Sequence, residues 1–260
     1  IHTPELYYSI SGIGPAIVLI HGFPESGQLF QVLESKLAEK FTVIIPDLPG
    51  AGKSAIGTAD TILKMAECVH SILSAESIET AVIAGHSMGG YVAFAFAATF
   101  PEMVAGLTLI HSTPFADTDE KKAVRSKAIS IIEAGGKKAF ISTMVTNLFS
   151  AHFKSLYPAV VEAQVVQSLK IEPNSLINYY KAMMSRADTS SILPNAPFPV
   201  QWIMGKQDEL MPYKLILERC LLSSVNFVSL YSNCGHMSMF EATDRLLADV
   251  LRFSAYCHNT

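Results

Sequence analysis

The chain has 260 residues, of which 50% are hydrophobic and 16% are charged, and its formal net charge at pH 7 is −4. A sequence of this length and composition can form one large α/β domain with a substantial core. Because it contains no run of Lys and Arg, it offers no basic surface of the kind that binds nucleic acid.

Apolar runs and helical periodicity predict an alternation of strands and helices along most of the chain. The predicted strands are residues 5–10, 16–20, 41–45, 81–84, 107–110, 200–204 and 225–230. The predicted helices between and after them are residues 29–40, 60–74, 91–99, 213–222 and 240–255. This order favours an α/β fold with a mostly parallel central sheet and helices on both faces.

The alternation stops between residues 112 and 193, where no buried strand is predicted. Four helices are predicted there instead, at residues 117–134, 136–148, 157–170 and 174–184. We expect residues 112–193 to form a helical cap, or lid, above a core made of residues 1–111 and 194–260.

The sequence has four cysteines, which are Cys68, Cys220, Cys234 and Cys257. They form no C-x-x-C pair and have no histidine at metal-ligand spacing, so free thiols of a reducing compartment are expected. This favours a cytoplasmic location, although the chain begins at Ile1 rather than Met and a removed leader stays open. Residues 81–100 carry no charge, but the glycine-rich break within them predicts a buried strand and helix, and not a membrane span.

A G-x-S-x-G motif is centred on Ser87, between the predicted strand 81–84 and the predicted helix 91–99. In this context the serine occupies a sharp, strained turn, which the small residues Gly85 and Gly89 permit. Its hydroxyl then stands above a helix N-terminus whose free N–H groups can bind an oxyanion. Ser87 is therefore the candidate nucleophile, and the N–H of Met88 is a candidate oxyanion donor.

The predicted strand 16–20 ends in the loop His21-Gly22-Phe23-Pro24, at the same edge of the predicted sheet. Together with the turn at Ser87, this loop is expected to supply a second oxyanion donor, the N–H of Phe23. The Gly-Lys-Ser of residues 52–54 suggests a phosphate-binding loop, but Asp47 stands where that motif needs a glycine. We expect a glycine-rich surface turn there.

A serine hydroxyl needs a histidine base and an acid that orients the base. Asp208 and His236 each follow a late predicted strand, so both should lie at the same edge of the sheet as Ser87. His111, also at a strand end, is the competing base, although a pocket-wall or core histidine is its favoured interpretation. The competing acids that stay open are Glu209, Asp117 and Asp119.

Over nearly its full length the chain resembles the α/β-hydrolase superfamily. The matching pieces are His21-Gly22-Phe23-Pro24, Asp47-Leu48-Pro49-Gly50-Ala51-Gly52-Lys53-Ser54, Gly85-His86-Ser87-Met88-Gly89-Gly90, Gly205-Lys206-Gln207-Asp208 and Gly235-His236. Residues 89–94 and the predicted lid resemble the group of small carboxylesterases, enol-lactonases and cofactor-free haloperoxidase-like enzymes. The resemblance places the lid after the sixth strand of the family's sheet, whose first strand has no clear counterpart here, so the strand count stays open.

The resemblance implies a serine hydrolase that cleaves a small to medium carboxylic ester or lactone with Ser87, His236 and Asp208. Serine at position 87 argues against haloalkane dehalogenases and epoxide hydrolases, which carry an Asp nucleophile. Phe23-Pro24 replaces the extra glycines of one lipase group. A carbon–carbon bond hydrolase with the same triad, and a ligand receptor without turnover, stay open as alternatives.

The expected partner is a small ester-like molecule, with no nucleic acid, no membrane span, no metal and no organic cofactor. Monomer and homodimer both stay open. The pocket should be mainly apolar, although each aromatic or Met side chain of the lid could equally belong to the lid's own core. The candidate pocket residues are His21, His86, Phe115, Phe149, Tyr157, Tyr180, Met184 and Met237.

Overall fold

The computed structural model describes residues 6–218 and 220–259, which fold around a seven-stranded sheet. The strands are β1 (Tyr8–Ser11), β2 (Ala16–Ile20), β3 (Thr42–Pro46), β4 (Ala81–His86), β5 (Val104–Ile110), β6 (Val200–Gly205) and β7 (Asn226–Tyr231). Their order across the sheet is β1-β3-β2-β4-β5-β6-β7. Only β1 runs antiparallel to its neighbour, so the predicted α/β architecture with a mostly parallel sheet is confirmed.

The central strands are buried along their whole length. Every residue of β2, β4 and β6 is buried, because helices cover both faces of the sheet. This is why these strands are continuous apolar runs in the sequence rather than alternating ones. In β1, at the edge, no residue reaches full burial. This strand begins at Tyr8, later than predicted. Glu5, the predicted start, lies outside the described residues.

Helices α1 to α3 connect β2, β3, β4 and β5 in turn, while α9 precedes β7 and α10 and α11 follow it along the chain. Their bounds are α1 (Gln31–Leu37), α2 (Ile62–Ala75), α3 (Met88–Thr99), α9 (Tyr213–Leu217), α10 (Ser238–Glu241) and α11 (Thr243–Asn259). The side chain of Thr61 caps α2 by accepting a hydrogen bond from the N–H of Lys64. The predicted helix 213–222 is shorter than expected, since α9 ends at Leu217 and Cys220–Leu222 forms a 3-10 turn.

Between β5 and β6 the structure contains helices and no strand among the described residues. They are α4 (Asp119–Ile131), α5 (Lys137–Thr146), α6 (Ala151–Leu156), α7 (Pro158–Ser168) and α8 (Pro173–Ser185). α4 packs on α8 and α5 packs on α7. The segment follows the fifth strand of the chain rather than a sixth, because no described strand precedes β1. The sequence analysis missed α6, which begins where the hydroxyl of Ser150 accepts a hydrogen bond from the N–H of Phe153.

All four cysteines are free and buried, and burial raises the pKa of each thiol. Within the described part of the chain, no helix has both the length and the apolar character that crossing a bilayer requires.

Candidate active site

Ser87 occupies the turn between β4 and α3, with φ 51° and ψ −116°. A positive φ is uncommon for a residue with a side chain and costs about 1–3 kcal/mol, so the surrounding fold must hold it. A Cβ on Gly85 would lie 2.2 Å from the carbonyl oxygen of Gly89, and one on Gly89 would lie 2.1 Å from that of Ile20. Only glycine fits at these two positions, which explains the spacing of the G-x-S-x-G motif.

Two hydrogen bonds from the neighbouring strand end fix the backbone of Ser87. Its N–H donates to the carbonyl of Ile110 over 2.9 Å. Its carbonyl accepts from the hydroxyl of Ser112 over 2.7 Å. The Ser87 residue is 6% exposed, so the turn lies at a nearly closed edge of the sheet.

Asp208 and His236 form a buried pair at this edge, on the loops that follow β6 and β7. The Nδ1 of His236 donates to Oδ2 of Asp208 over 2.7 Å. The other oxygen, Oδ1, accepts the backbone N–H groups of Leu210 and Met211 over 3.0 and 2.9 Å. Burial alone would raise the pKa of Asp208, but the interaction with His236 and the hydrogen bonds hold it well below its usual range. The carboxyl is therefore ionised at all physiological pH values.

The far nitrogen of His236, Nε2, is buried and has no hydrogen-bond partner among the described residues. Because Nδ1 carries the proton that Asp208 accepts, Nε2 of the neutral ring is an acceptor. The backbone N–H of His236 donates to the carbonyl of Leu148 over 2.8 Å, which ties the loop to the turn between α5 and α6. The ring is thus oriented and ready to accept a proton from a hydroxyl group.

A second histidine contacts the same carboxylate oxygen. The Nδ1 of His111 lies 3.0 Å from Oδ2 of Asp208, and the Nε2 of His111 is also buried without a partner among the described residues. Burial lowers the pKa of His111 to about 4, although Asp208 opposes this. The sequence analysis considered His111 as a rival base or a core residue, and had no signal for its contact with Asp208, which lies 97 residues away.

His111, Asp208 and His236 offer possible metal-ligating atoms within 4.8 Å of one another. The sequence spacing gave no sign of this cluster. In the structure, however, the Nδ1 atoms of both histidines already donate to Asp208, so one nitrogen of each ring is used for a hydrogen bond. A metal ion bound through Nδ1 would have to displace these hydrogen bonds.

Two backbone N–H groups near Ser87 are free to bind an oxyanion. Met88 is the first residue of α3, so its N–H has no partner within the helix. The N–H of Phe23 has no acceptor among the described residues. The ring of Phe23 packs against those of Tyr180 and Tyr179, with centroid distances of 4.5 and 6.2 Å. Helix α8 therefore covers the loop that carries one of the candidate donors.

Several known proteins resemble this chain in sequence and in fold. A family model described as the alpha/beta hydrolase fold matches residues 15–129. A pimeloyl-(acyl-carrier protein) methyl ester esterase of Pseudoalteromonas atlantica is 26% identical, over 92% of this chain and 94% of that protein. A solved esterase from Thermogutta terrifontis is 25% identical with a TM-score of 0.92, and the match covers 97% of this chain and 94% of that one.

The chain has the α/β-hydrolase fold, and these likenesses support the α/β-hydrolase superfamily as its family. The family resemblance drawn from the motifs is thereby confirmed. An uncharacterized protein of Mycobacterium tuberculosis is 41% identical over 111 residues, which cover 42% of this chain. The match spans about one third of the length of that relative, 33%.

In this hydrolase fold, the two histidines predicted to line the pocket make internal hydrogen bonds with both ring nitrogens. The Nε2 of His21 accepts the N–H of Leu48 over 2.9 Å, and its Nδ1 lies 2.9 Å from the carbonyl of Gly22. The ring of His86 lies between Oε2 of Glu25 and the carbonyl of His236, at 3.0 and 2.9 Å. Both rings are fully buried and hold loops together, and their place in the substrate pocket stays a prediction.

Both ring nitrogens of His86 face oxygen acceptors, an arrangement that favours the doubly protonated imidazole. Burial would lower the pKa of His86, but the charge and hydrogen bond of Glu25 outweigh it and raise the pKa. Glu25 also accepts the N–H of Gly22 over 3.2 Å. A buried ion pair therefore links the loop of Phe23, the turn of Ser87 and the loop of His236, and the sequence analysis did not find it.

The other predicted pocket residues lie in different environments. Phe149 is buried against Phe153 and Phe240, with centroid distances of 5.4 and 5.9 Å. Tyr157 is 51% exposed, which places it at the surface rather than in an enclosed wall. Tyr180 and Met237 are buried, and Phe115 and Met184 are partly buried.

A cleft with a volume of about 1080 Å³ separates α7 and α8 from residues 25–32 and 50–56. A second, of about 400 Å³, lies beside Tyr91 and Arg186. Ser87 and the eight predicted pocket residues line neither of these two clefts. The enclosed apolar pocket above Ser87 therefore stays a prediction.

The competing acids have other environments. Asp117 is buried between Arg125 and Arg186, with ion-pair distances of 2.6 and 2.8 Å. Asp119 and Glu209 are exposed. Since Asp208 alone among the four candidates makes a hydrogen bond to His236, the geometry favours it as the acid.

Proposed function

We propose that this chain is a serine hydrolase that cleaves small to medium carboxylic esters or lactones through an acyl-enzyme. The observation that carries the proposal is the buried pair of Asp208 and His236, whose free Nε2 lies at the same sheet edge as the strained turn of Ser87. This combination of a nucleophile, an oriented base and a buried acid is what acyl transfer by a serine requires. Relatives named as esterases support the same reaction class.

In the proposed mechanism, the Oγ of Ser87 attacks the carbonyl carbon while Nε2 of His236 takes its proton. Asp208 stabilises the imidazolium, and the N–H groups of Met88 and Phe23 bind the oxyanion, each contributing about 3–4 kcal/mol. The imidazolium then gives its proton to the leaving alcohol. Water, activated by the same Nε2, attacks the acyl-enzyme and releases the acid and free Ser87.

We further propose that residues 112–193 act as a lid over this site, as one unit attached to the core. Support comes from hydrogen bonds that join this segment to the loop of the base. The carbonyl of Leu148 accepts the N–H of His236, and the N–H of Ser150 donates to Glu241 over 3.0 Å. Such contacts would let the lid set the size of the substrate beside the base.

The proposal is tested by a fluorophosphonate probe combined with a panel of nitrophenyl esters and β-diketones. We expect covalent labelling of Ser87, located by peptide mass spectrometry, together with ester turnover. Labelling with cleavage of β-diketones alone would identify a carbon–carbon bond hydrolase. An absence of labelling and turnover would contradict the proposal and favour a ligand receptor on the same fold.

The lid leads to a prediction about substrate size. Nitrophenyl esters of short acyl chains should be hydrolysed faster than emulsified long-chain triglycerides, because a helical segment held close to His236 leaves little room for a long chain. Initial rates on a series from acetate to palmitate, and on an olive-oil emulsion, measure this preference. A preference for the emulsion would show that the lid does not restrict the site.

A second prediction concerns pH and metal. His236 must be neutral to accept the proton of Ser87, and histidine is the side chain whose charge changes between roughly pH 5 and 8. Asp208 stays ionised, because its pKa is held well below its usual range. Its titration therefore does not affect the dependence of turnover on pH. Turnover should therefore rise through roughly pH 6 to 8 and then level off. A profile that is flat from pH 5 upward would contradict this assignment.

The same assay tests whether turnover requires a metal ion. Since both histidines of the cluster already donate to Asp208, turnover should not change when EDTA is added. Loss of activity with EDTA and its return with one divalent ion would identify the cluster of His111, Asp208 and His236 as a metal site instead.

A further inference from the structure

His111 takes no part in the proposed mechanism, yet its ring is fully buried against the proposed acid. Its Nδ1 and that of His236 share one acceptor, Oδ2 of Asp208, at 3.0 and 2.7 Å. Because Oδ1 accepts two backbone N–H groups, the carboxylate receives four hydrogen bonds. One donor in addition to His236 would be enough to fix the rotation of the Asp208 carboxylate. The hydrogen bond from His111 should therefore do more than orient this group.

The backbone holds His111 in this position despite an unfavourable conformation. Its φ is 51°, in the left-handed region that residues with a side chain seldom adopt. The residues on either side hold the nucleophile, since Ile110 accepts the N–H of Ser87 and the hydroxyl of Ser112 donates to its carbonyl. The N–H of His111 donates to the carbonyl of Ile203 over 2.8 Å, which anchors the turn on β6. One short turn therefore contacts both the acid and the nucleophile.

The charge state of His111 decides what it does to Asp208. Burial lowers the pKa of His111 to about 4, so the ring is neutral at physiological pH. A neutral donor adds no charge that would repel a protonated His236. It does occupy a lone pair of the carboxylate and reduce the electron density that Oδ2 offers to the base.

Building on the proposed function, we propose that His111 is a positioning residue that acts through Asp208 and weakens the hold of this carboxylate on the protonated form of His236. The labelling reaction at Ser87 should then reach half of its maximum rate at a lower pH than it would with Asp208 as the sole partner of the base. Other ionisable groups face the pair from neighbouring elements. His86 lies beside His236 and pairs with Glu25, and Glu241 accepts the N–H groups of Gly235 and Met237. Lys121 and Cys234 interact with Asp208 electrostatically.

Two variants separate the hydrogen bond from the rest of the side chain. His111→Asn keeps an N–H donor near the position of Nδ1, and asparagine tolerates a positive φ. His111→Leu fills a similar volume without a donor. The rate of labelling by a fluorophosphonate probe, measured from pH 5 to 9, follows the base without requiring knowledge of the substrate.

We expect His111→Leu to move the midpoint of the labelling profile upward by about one pH unit, which is about a tenfold slower reaction at pH 6. In His111→Asn the midpoint should stay near that of the unchanged protein. At pH 9, where the base is neutral in every variant, the Leu variant should label within a few-fold of the unchanged protein.

His111→Gly relieves the backbone strain without supplying a donor, so it controls for the effect of strain. Its midpoint should move as in the Leu variant even if its melting temperature rises. An unmoved midpoint in correctly folded Leu and Gly variants would overturn the proposal. Loss of labelling at all pH values in both Asn and Leu would show that His111 is the base. The proposed function fails separately, if the unchanged protein is not labelled at Ser87.

Discussion

Replacing Ser87 with Ala is expected to lower ester turnover by about 10⁵- to 10⁶-fold and to leave the fold intact. The variant removes the one atom that forms the acyl-enzyme, while the base, the acid and the oxyanion donors stay in place. The backbone hydrogen bonds from Ser87 to Ile110 and from Ser112 do not involve the Ser87 side chain, so they persist. The measurement is kcat on a short-chain nitrophenyl ester, together with the melting temperature.

A matched control is Ser74→Ala, at an exposed serine near the end of α2. It makes the same chemical change far from the sheet edge, so turnover should stay within twofold and the fluorophosphonate label should be retained. Alanine favours helix, which makes a loss of stability unexpected. Near-normal turnover by Ser87→Ala would remove the serine from the mechanism. A fall of similar size in both variants would point to damage of the fold rather than of the site.

The turn of Ser87 shows how much of the site a sequence can predict. Strand β4, Ser87 and α3 are contiguous, and their packing requires glycine at two fixed positions. Such local steric requirements are visible as letters and spacing. Asp208 and His236 could be predicted for another reason: each follows a parallel strand, and the carboxyl ends of parallel strands meet at one edge of the sheet. The family resemblance and the α/β architecture followed from these contiguous pieces.

The contacts of His111 and Glu25 show what the sequence could not predict. His111 reaches Asp208 across 97 residues, and Glu25 reaches His86 across 61. Each contact depends on the direction of a side chain at a strand end or in a loop, and no spacing rule gives that direction. His86 is one of the predicted pocket residues, and its ring points to Glu25 and to the carbonyl of His236.

In the helices between β5 and β6, the sequence could not tell which side chains face a pocket, and the reason is a different one. Their aromatic and Met side chains can serve either the segment's own core or a pocket, and helical periodicity does not distinguish the two faces. Phe149 packs on Phe153 of the missed helix α6, while Tyr180 packs on Phe23 of the core. Residues with the same chemical character therefore belong to different surfaces, and only the packing decides which.

Replacing Asp208 with Asn should lower turnover by about 10⁴-fold, and the hydrogen bonds of the site explain why. Oδ1 accepts the N–H groups of Leu210 and Met211, which can only donate. The oxygen of the Asn side chain must therefore face these two groups, and its NH2 must face the two histidines. An NH2 group cannot accept the proton on Nδ1 of His236, so the ring changes tautomer and carries its proton on Nε2. In that form it cannot accept the proton of Ser87.

This mechanism predicts a pH dependence that distinguishes a wrong tautomer from a lost fold. At high pH, hydroxide can remove the proton of Ser87 in place of the base. The turnover of Asp208→Asn should therefore keep rising above pH 8, where the turnover of the unchanged protein levels off.

Two other carboxylates serve as controls. Asp119→Asn, at an exposed carboxylate, should leave turnover unchanged. Asp117→Asn should reduce the melting temperature, because two arginines lose their partner, and leave the pH profile in place. If Asp208→Asn were mild and Asp117→Asn or Asp119→Asn cost several orders of magnitude, the acid would lie on the loop after β5, and the hydrogen bond between Asp208 and His236 would have a structural role only.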